Sequence, residues 1–260
     1  MEHIKAYYLV EIRSKKIKKI MNNLKNAVIK YYDDIAGIYN IKHGVDLYGC
    51  EWGINKYYLP LIQHFVNKNS EILEIGCGTG KYTGILKKNA KRICGIDISP
   101  KMIDVAKKSN SDVRFIVGDS EKLLDFKNEE FDVVAGFNTF SYYPNKLDAL
   151  HSINRVLKRG GIFFDLDMNG LCPIYYILSL IGINEMKNWY RYIKESTIKN
   201  LLSVFNEAGF DIVYTNALNW IPNALNRNAV LMLAPMNSIL SNLPLIRKFA
   251  MRIVIVGRKR

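Results

Sequence analysis

The sequence is short of the residues and runs that would place it in several common classes. Its four cysteines, Cys50, Cys77, Cys94 and Cys172, include no pair at metal-site spacing, so no metal centre is expected. Cys77 and Cys94 fall on predicted core elements, which fits a reduced, intracellular setting. The longest strongly apolar run, 171–183, has about 13 residues, short of the ~20 that a bilayer-spanning helix needs. The first residues carry no uninterrupted apolar stretch with a clear cleavage site, so no secretion signal is expected. No internal repeat or low-complexity tract is evident. Acidic residues are outnumbered by basic ones, 24 against 37, for a net charge of +13. That excess suits RNA, an anionic membrane surface or an acidic substrate, and it suits a lysine-rich solvated surface as well.

Hydrophobic residues make up 49% of the 260, enough for one α/β domain with a full core and some insertions. The rest of the chain is organised around Glu71–Gly80, where a short apolar run breaks into glycines at alternate positions and a helical pattern follows. Such a run reads as a buried strand entering a tight turn. Glycine lets the backbone approach a ligand closely, and the N–H groups at the next helix start suit a negative group. Two familiar glycine loops fail on spacing. For a dinucleotide fingerprint the third glycine position holds Lys81, and for a phosphate-binding loop position 75 is Ile and position 82 is Tyr.

What stands in the chain is Glu74-x-Gly76-x-Gly78-x-Gly80, followed by a second strand ending in Asp97, 21 residues after Gly76. Ser99-Pro100 opens a helix as N-cap and first turn. A third strand, 113–117, leads into Gly118-Asp119-Ser120, a fourth covers 131–135, and Gly160-Gly161 precedes a fifth at 161–167. This ordered set resembles the class I S-adenosylmethionine-dependent methyltransferases over roughly residues 31–215 plus the last strand. The resemblance implies an α/β, three-layer Rossmann-like sandwich with a mostly parallel seven-stranded sheet, order 3-2-1-4-5-7-6, last strand antiparallel.

S-adenosylmethionine is the cofactor that the resemblance implies, with Asp97 on the ribose hydroxyls and Asp119 on the adenine amino group. It implies cofactor contacts from Tyr32, Glu74, Gly76, Cys77, Gly78, Gly80, Asp97, Ile98, Met102, Gly118, Asp119, Ser120, Phe137 and Asn138. The segment Tyr31–Tyr39 is similar to one that closes over the methionine end of the cofactor in small-molecule enzymes of the family. Helical spacing of core aromatics explains Tyr32 and Tyr39 equally well. Amino-methyltransferases of the family commonly carry adjacent prolines after strand four. Here Phe137–Pro144 has none, which argues against methylation of exocyclic amines on DNA.

On the acceptor side, Tyr39, Thr139, Phe140, Tyr142 and Tyr143 are the expected substrate contacts. His43, Tyr39 and Tyr142 are the weak candidates for acid–base work, each with ordinary packing or solvation as the plainer reading. The basic amphipathic stretch 13–30 reads as a helix packed on the sheet, or else as a lid or an anionic-surface contact. The expected organisation is one methyltransferase domain over 1–260, with a helical cap at 1–67 and a cofactor core at 68–168. Substrate-side insertions are expected at 169–193 and 217–248, with extra core cover a serious competitor for 229–246. The leading functional expectation is methyl transfer to a small or lipid acceptor, with peripheral membrane contact. RNA methylation rests on charge alone, with no binding motif, and a non-catalytic cofactor-binding module is the third reading.

Overall fold

The computed structural model describes residues 25–180 and 190–260. Part of the expected basic helix, 13–24, and Trp189 in the first insertion lie outside the described residues. Seven strands form one sheet: β1 (Glu71–Ile75), β2 (Arg92–Asp97), β3 (Arg114–Val117), β4 (Phe131–Phe137), β5 (Leu157–Met168), β6 (Phe210–Leu218) and β7 (Arg252–Lys259). Their order is β3-β2-β1-β4-β5-β7-β6. β1 to β5 run parallel, and β7 is antiparallel to both of its neighbours.

Alternation along the strands sorts the core onto two faces. Leu73 and Ile75 pack on one side with Phe163, Phe205 and the helix Lys146–Val156. Ile72, Val133 and Val254 pack on the other with Tyr58 and Ile62. The helices start where the chain supplies an acceptor: Ser99, Asn145, Thr197 and Asn226 each accept the backbone N–H three residues on. The helical stretch 48–65 before β1 changes to π-helical winding over Ile54–Tyr58. That wide turn aims Tyr57 and Tyr58 at Asn237 and Asn219, beyond the other end of the sheet order.

Several boundaries differ from expectation. β5 begins at Leu157 rather than Gly161, because Leu157 pairs with Phe131 ahead of a bulge. β7 runs to Lys259: Arg258 and Lys259 continue the ladder against Asp211 and Phe210, and Arg260 Nε meets Asp211 Oδ1 at 2.8 Å. The 229–246 segment covers core through one side only, where Val230 and Asn237 are buried. Its helix Arg227–Asn242 leaves Leu231, Met232, Met236 and Ile239 more than half exposed.

Candidate functional site

The carboxyl ends of β1, β2 and β4 build the floor of a cleft. After β1 the chain turns through Gly76 at φ +59° and Gly78 at φ +50°. A Cβ on Gly76 would lie 2.3 Å from the Thr139 side chain, so the loops after β1 and β4 touch only because the glycine is there. Thr139 Oγ1 holds them together by donating to the Gly76 and Phe137 carbonyls, both at 3.2 Å. At Gly78 a Cβ would meet nothing within 4 Å, since that side faces the cleft. Asp97, closing β2, accepts from Gly78 N and Ser99 N, each at 2.9 Å. Burial raises its pKa, and those two N–H groups oppose the rise.

The loop after β4 is fixed from beneath. Asn138 takes a left-handed φ of +53° while its N–H donates to Leu166 O at 2.8 Å. Its Oδ1 is buried and has no partner among the described residues. Asp167 on β5 accepts from Ser141 N at 2.6 Å and Ser141 Oγ at 2.8 Å. That clamp sets Tyr142 and Tyr143 in the cleft wall. Burial, with Asp167 adjacent, raises the pKa of Asp165.

A cover comes from the N-terminal side. The helical segment 25–35 docks through Asp33, whose Oδ1 accepts from Ser99 Oγ at 2.6 Å. Lys25 Nζ reaches both Asp119 Oδ2 and Glu121 Oε1 at 2.9 Å. Asn40 Oδ1 accepts from Thr79 Oγ1 at 2.8 Å. Tyr32 meets Tyr142 edge-on at 6.4 Å, and Tyr39 lies 4.6 Å from the His43 ring. Burial raises the Tyr32 and Tyr142 phenols and pushes Tyr39 up to about 12, so all three stay protonated at neutral pH.

The cleft has two lobes with about 920 and 1280 Å³ of open space. Tyr32, Tyr39, Gly76, Gly78, Phe137, Asn138 and Tyr142 wall both, so the lobes meet there. Lobe one holds Asp97, Ile98, Met102, Asp119 and Ser120, with Thr139 and Tyr143. Lobe two holds Glu74, Cys77 and His43. Burial pushes the Glu74 carboxyl up to about 8, the nearby Asp97 adding to the rise and the Thr83 hydroxyl opposing it.

Three expected residues lie elsewhere. Phe140 is fully buried beneath the loop, 5.5 Å from Phe163 and 6.1 Å from Phe205, because the short 3-10 turn Phe140–Tyr142 points its first residue into the core. Gly80 serves packing: its carbonyl accepts from Asn110, and Ala106 presses against it. Gly118 faces Ile96 and Asp125. The Cys77 side chain packs with Ile103, Ala106 and Phe115, so only the rim of that residue reaches the cleft. Lys25, Glu121, Tyr82, Tyr175 and Arg252 line the cleft without having been expected there. For Arg252 the one signal was a charge opening an apolar strand.

The first lobe fits S-adenosylmethionine. It offers a carboxylate with free lone pairs at Asp97, a side-chain-free face at Gly78, an orphaned acceptor at Asn138 Oδ1, and the apolar surfaces of Ile98 and Met102. Comparison with known proteins agrees. A methyltransferase-domain family matches residues 73–165. A demethylmenaquinone methyltransferase of Thermotoga maritima is 29% identical over 211 residues, 73% of this chain and 90% of that one. One from Staphylococcus aureus is 31% identical over 169 residues, 56% and 69% of the two chains. The uncharacterized protein MJ1252 of Methanocaldococcus jannaschii is 30% identical over 228 residues, 78% and 84%. Among solved structures, the methyltransferase bound to the Trm112 activator in Haloferax volcanii superposes with a TM-score of 0.63 at 19% identity, covering 87% of this chain and 96% of that one. An S-adenosylmethionine-dependent methyltransferase of Mesorhizobium loti gives 0.57 at 16% identity, covering 77% and 96%. The chain belongs to the class I S-adenosylmethionine-dependent methyltransferases.

Proposed function

We propose that the enzyme methylates a small, apolar or aromatic acceptor seated in the second lobe. The observation that carries this reading is the shared wall: an aromatic-lined space opens directly beside the one that fits the cofactor. Tyr82 and Phe137 stack there at 4.2 Å and 2°, and Met168 and Tyr175 complete an apolar side. Relatives named for a quinone substrate, at about 30% identity, support the same class.

Bound S-adenosylmethionine supplies a methyl group on a sulfonium, ready for in-line displacement. The chain's own residues hold that arrangement. Asp97 would hold the ribose hydroxyls, the unpartnered Asn138 Oδ1 would accept from the methionine ammonium, and Ile98 and Met102 would flank the base. Asp119 and Ser120 lie at its polar edge, with Lys25 fastening the cover. Tyr32, Tyr39 and Tyr142 stand between the lobes, exclude water and confine the acceptor to one line of approach, which is where most of the acceleration arises. His43 lines the second lobe and is a candidate base for an acceptor that arrives protonated.

The test is to incubate the enzyme with methyl-labelled cofactor and cell extract and then separate lipid, RNA, protein and small-molecule fractions. Label is expected in the organic or small-molecule fraction. Label confined to RNA would overturn the acceptor class, and no label in any fraction would favour a non-catalytic cofactor-binding role.

A further inference from the structure

Arg252 stands where the sheet reverses direction. It opens β7 opposite Met168 and Leu218, and because β7 is antiparallel its first residue arrives at the carboxyl end of β5, beside the cleft. The side chain is half-buried and lines the second lobe. Its Nη1 is sealed from solvent and has no hydrogen-bond partner among the described residues. An unpaired buried guanidinium N–H is costly, and planar N–H pairs match oxygen anions well. A guanidinium keeps its proton throughout the physiological range, so Arg252 stays cationic despite its burial.

The rest of the lobe has the same sign. Lys42 and Lys81 also line it, Lys81 Nζ lying 3.5 Å from Asp46 at the outer edge. The carboxyl group facing inward, Glu74, is held neutral by burial at pH 7. Asp167, which adds to the favourable field on Arg252, spends its oxygens on Ser141 and Met168. The lobe therefore combines flat aromatic walls with a guanidinium whose Nη1 has no hydrogen-bond partner among the described residues.

We propose that the acceptor carries an anionic oxygen on a flat ring, an ionised phenol or enol, and that Arg252 holds that oxygen. This rests on the aromatic-acceptor reading above and narrows it. Arg252 favours the ionised acceptor at neutral pH, so the protonated tyrosines need not act as bases. The acceptor's electron pair forms the new bond to the methyl carbon, and the carbon–sulfur pair goes to sulfur. A cation and an anion thereby become two neutral molecules. If a ring carbon takes the methyl group, its proton leaves to solvent afterwards.

The test measures binding of hydroxynaphthoquinone, ionised at neutral pH, and of unsubstituted naphthoquinone by calorimetry with S-adenosylhomocysteine present. The wild type is expected to prefer the ionised probe by about tenfold or more. Arg252→Gln is expected to lose that preference while keeping S-adenosylhomocysteine affinity, and Arg252→Lys to keep part of it. A wild type without the preference, or an Arg252→Gln protein that retains it, overturns the assignment and leaves the aromatic reading standing. Failure of both probes to bind a wild type that holds S-adenosylhomocysteine overturns both.

Discussion

Single residues divide the two lobes by charge as well as by shape. Asp97 keeps its carboxylate aligned through two backbone N–H groups, so its other lone pairs are held at the cleft at no ordering cost. Asp97→Ala is expected to weaken cofactor binding by roughly 1.5–3 kcal/mol by calorimetry; an unchanged affinity would place the ribose elsewhere. Glu74 has a different role. Its folded pKa of about 8 stands above the ordinary value of 4.5, so the folded protein keeps a proton that the unfolded chain has lost. Stability is therefore expected to fall as pH rises between those values, by at most about 1.4 kcal/mol per pH unit, and to level off above them. The raised pKa of Asp97 acts in the same direction. Urea unfolding across that window should show a shallower slope for Glu74→Gln. An identical slope would mean that Glu74 is ionised in the folded state.

Among the described elements, the helix Arg227–Asn242 leaves a long apolar stripe exposed. Met232 is 74% exposed, Met236 51% and Ile239 62%, and their spacing of four and three residues makes them one stripe. In the next short helix Leu245 is 77% exposed, and Arg227, Arg247 and Lys248 at the two ends of this segment are exposed as well. Apolar side chains flanked by cations suit the boundary of an anionic bilayer, and no described helix is long and apolar enough to cross one. We propose peripheral membrane contact through this stripe. Flotation with anionic vesicles should recover the protein, and Met232→Glu with Ile239→Glu should abolish recovery without altering thermal stability. Equal recovery of the variant, or none of the wild type, would remove the helix from any such role. Composition had offered the charge for this surface, but only the packed fold shows which apolar residues it leaves outside.

At the scale of the whole molecule, the legible part was local. A glycine loop, a carboxylate at the next strand end and an N-cap each act within a few residues, so Gly76, Gly78, Asp97 and Ser99 could be read directly. Phe140 could not, because a 3-10 turn reverses which of two neighbouring aromatics faces the core. Nor could Arg252, whose surroundings join Tyr58, Tyr82 and Tyr175 from distant parts of the chain. The segment that spans both lobes has a kinetic consequence. Tyr32 and Tyr39 wall each space, and Lys25, Asp33 and Asn40 tie the segment that carries them to the sheet. Because one segment walls both lobes, the expected outcome is that product release waits on its lifting and that its opening paces turnover. Added sucrose should then slow kcat in proportion to solvent viscosity, while Lys25→Ala, freed from Asp119 and Glu121, should be faster and less sensitive to it. A kcat indifferent to viscosity would place the slow step in the chemistry.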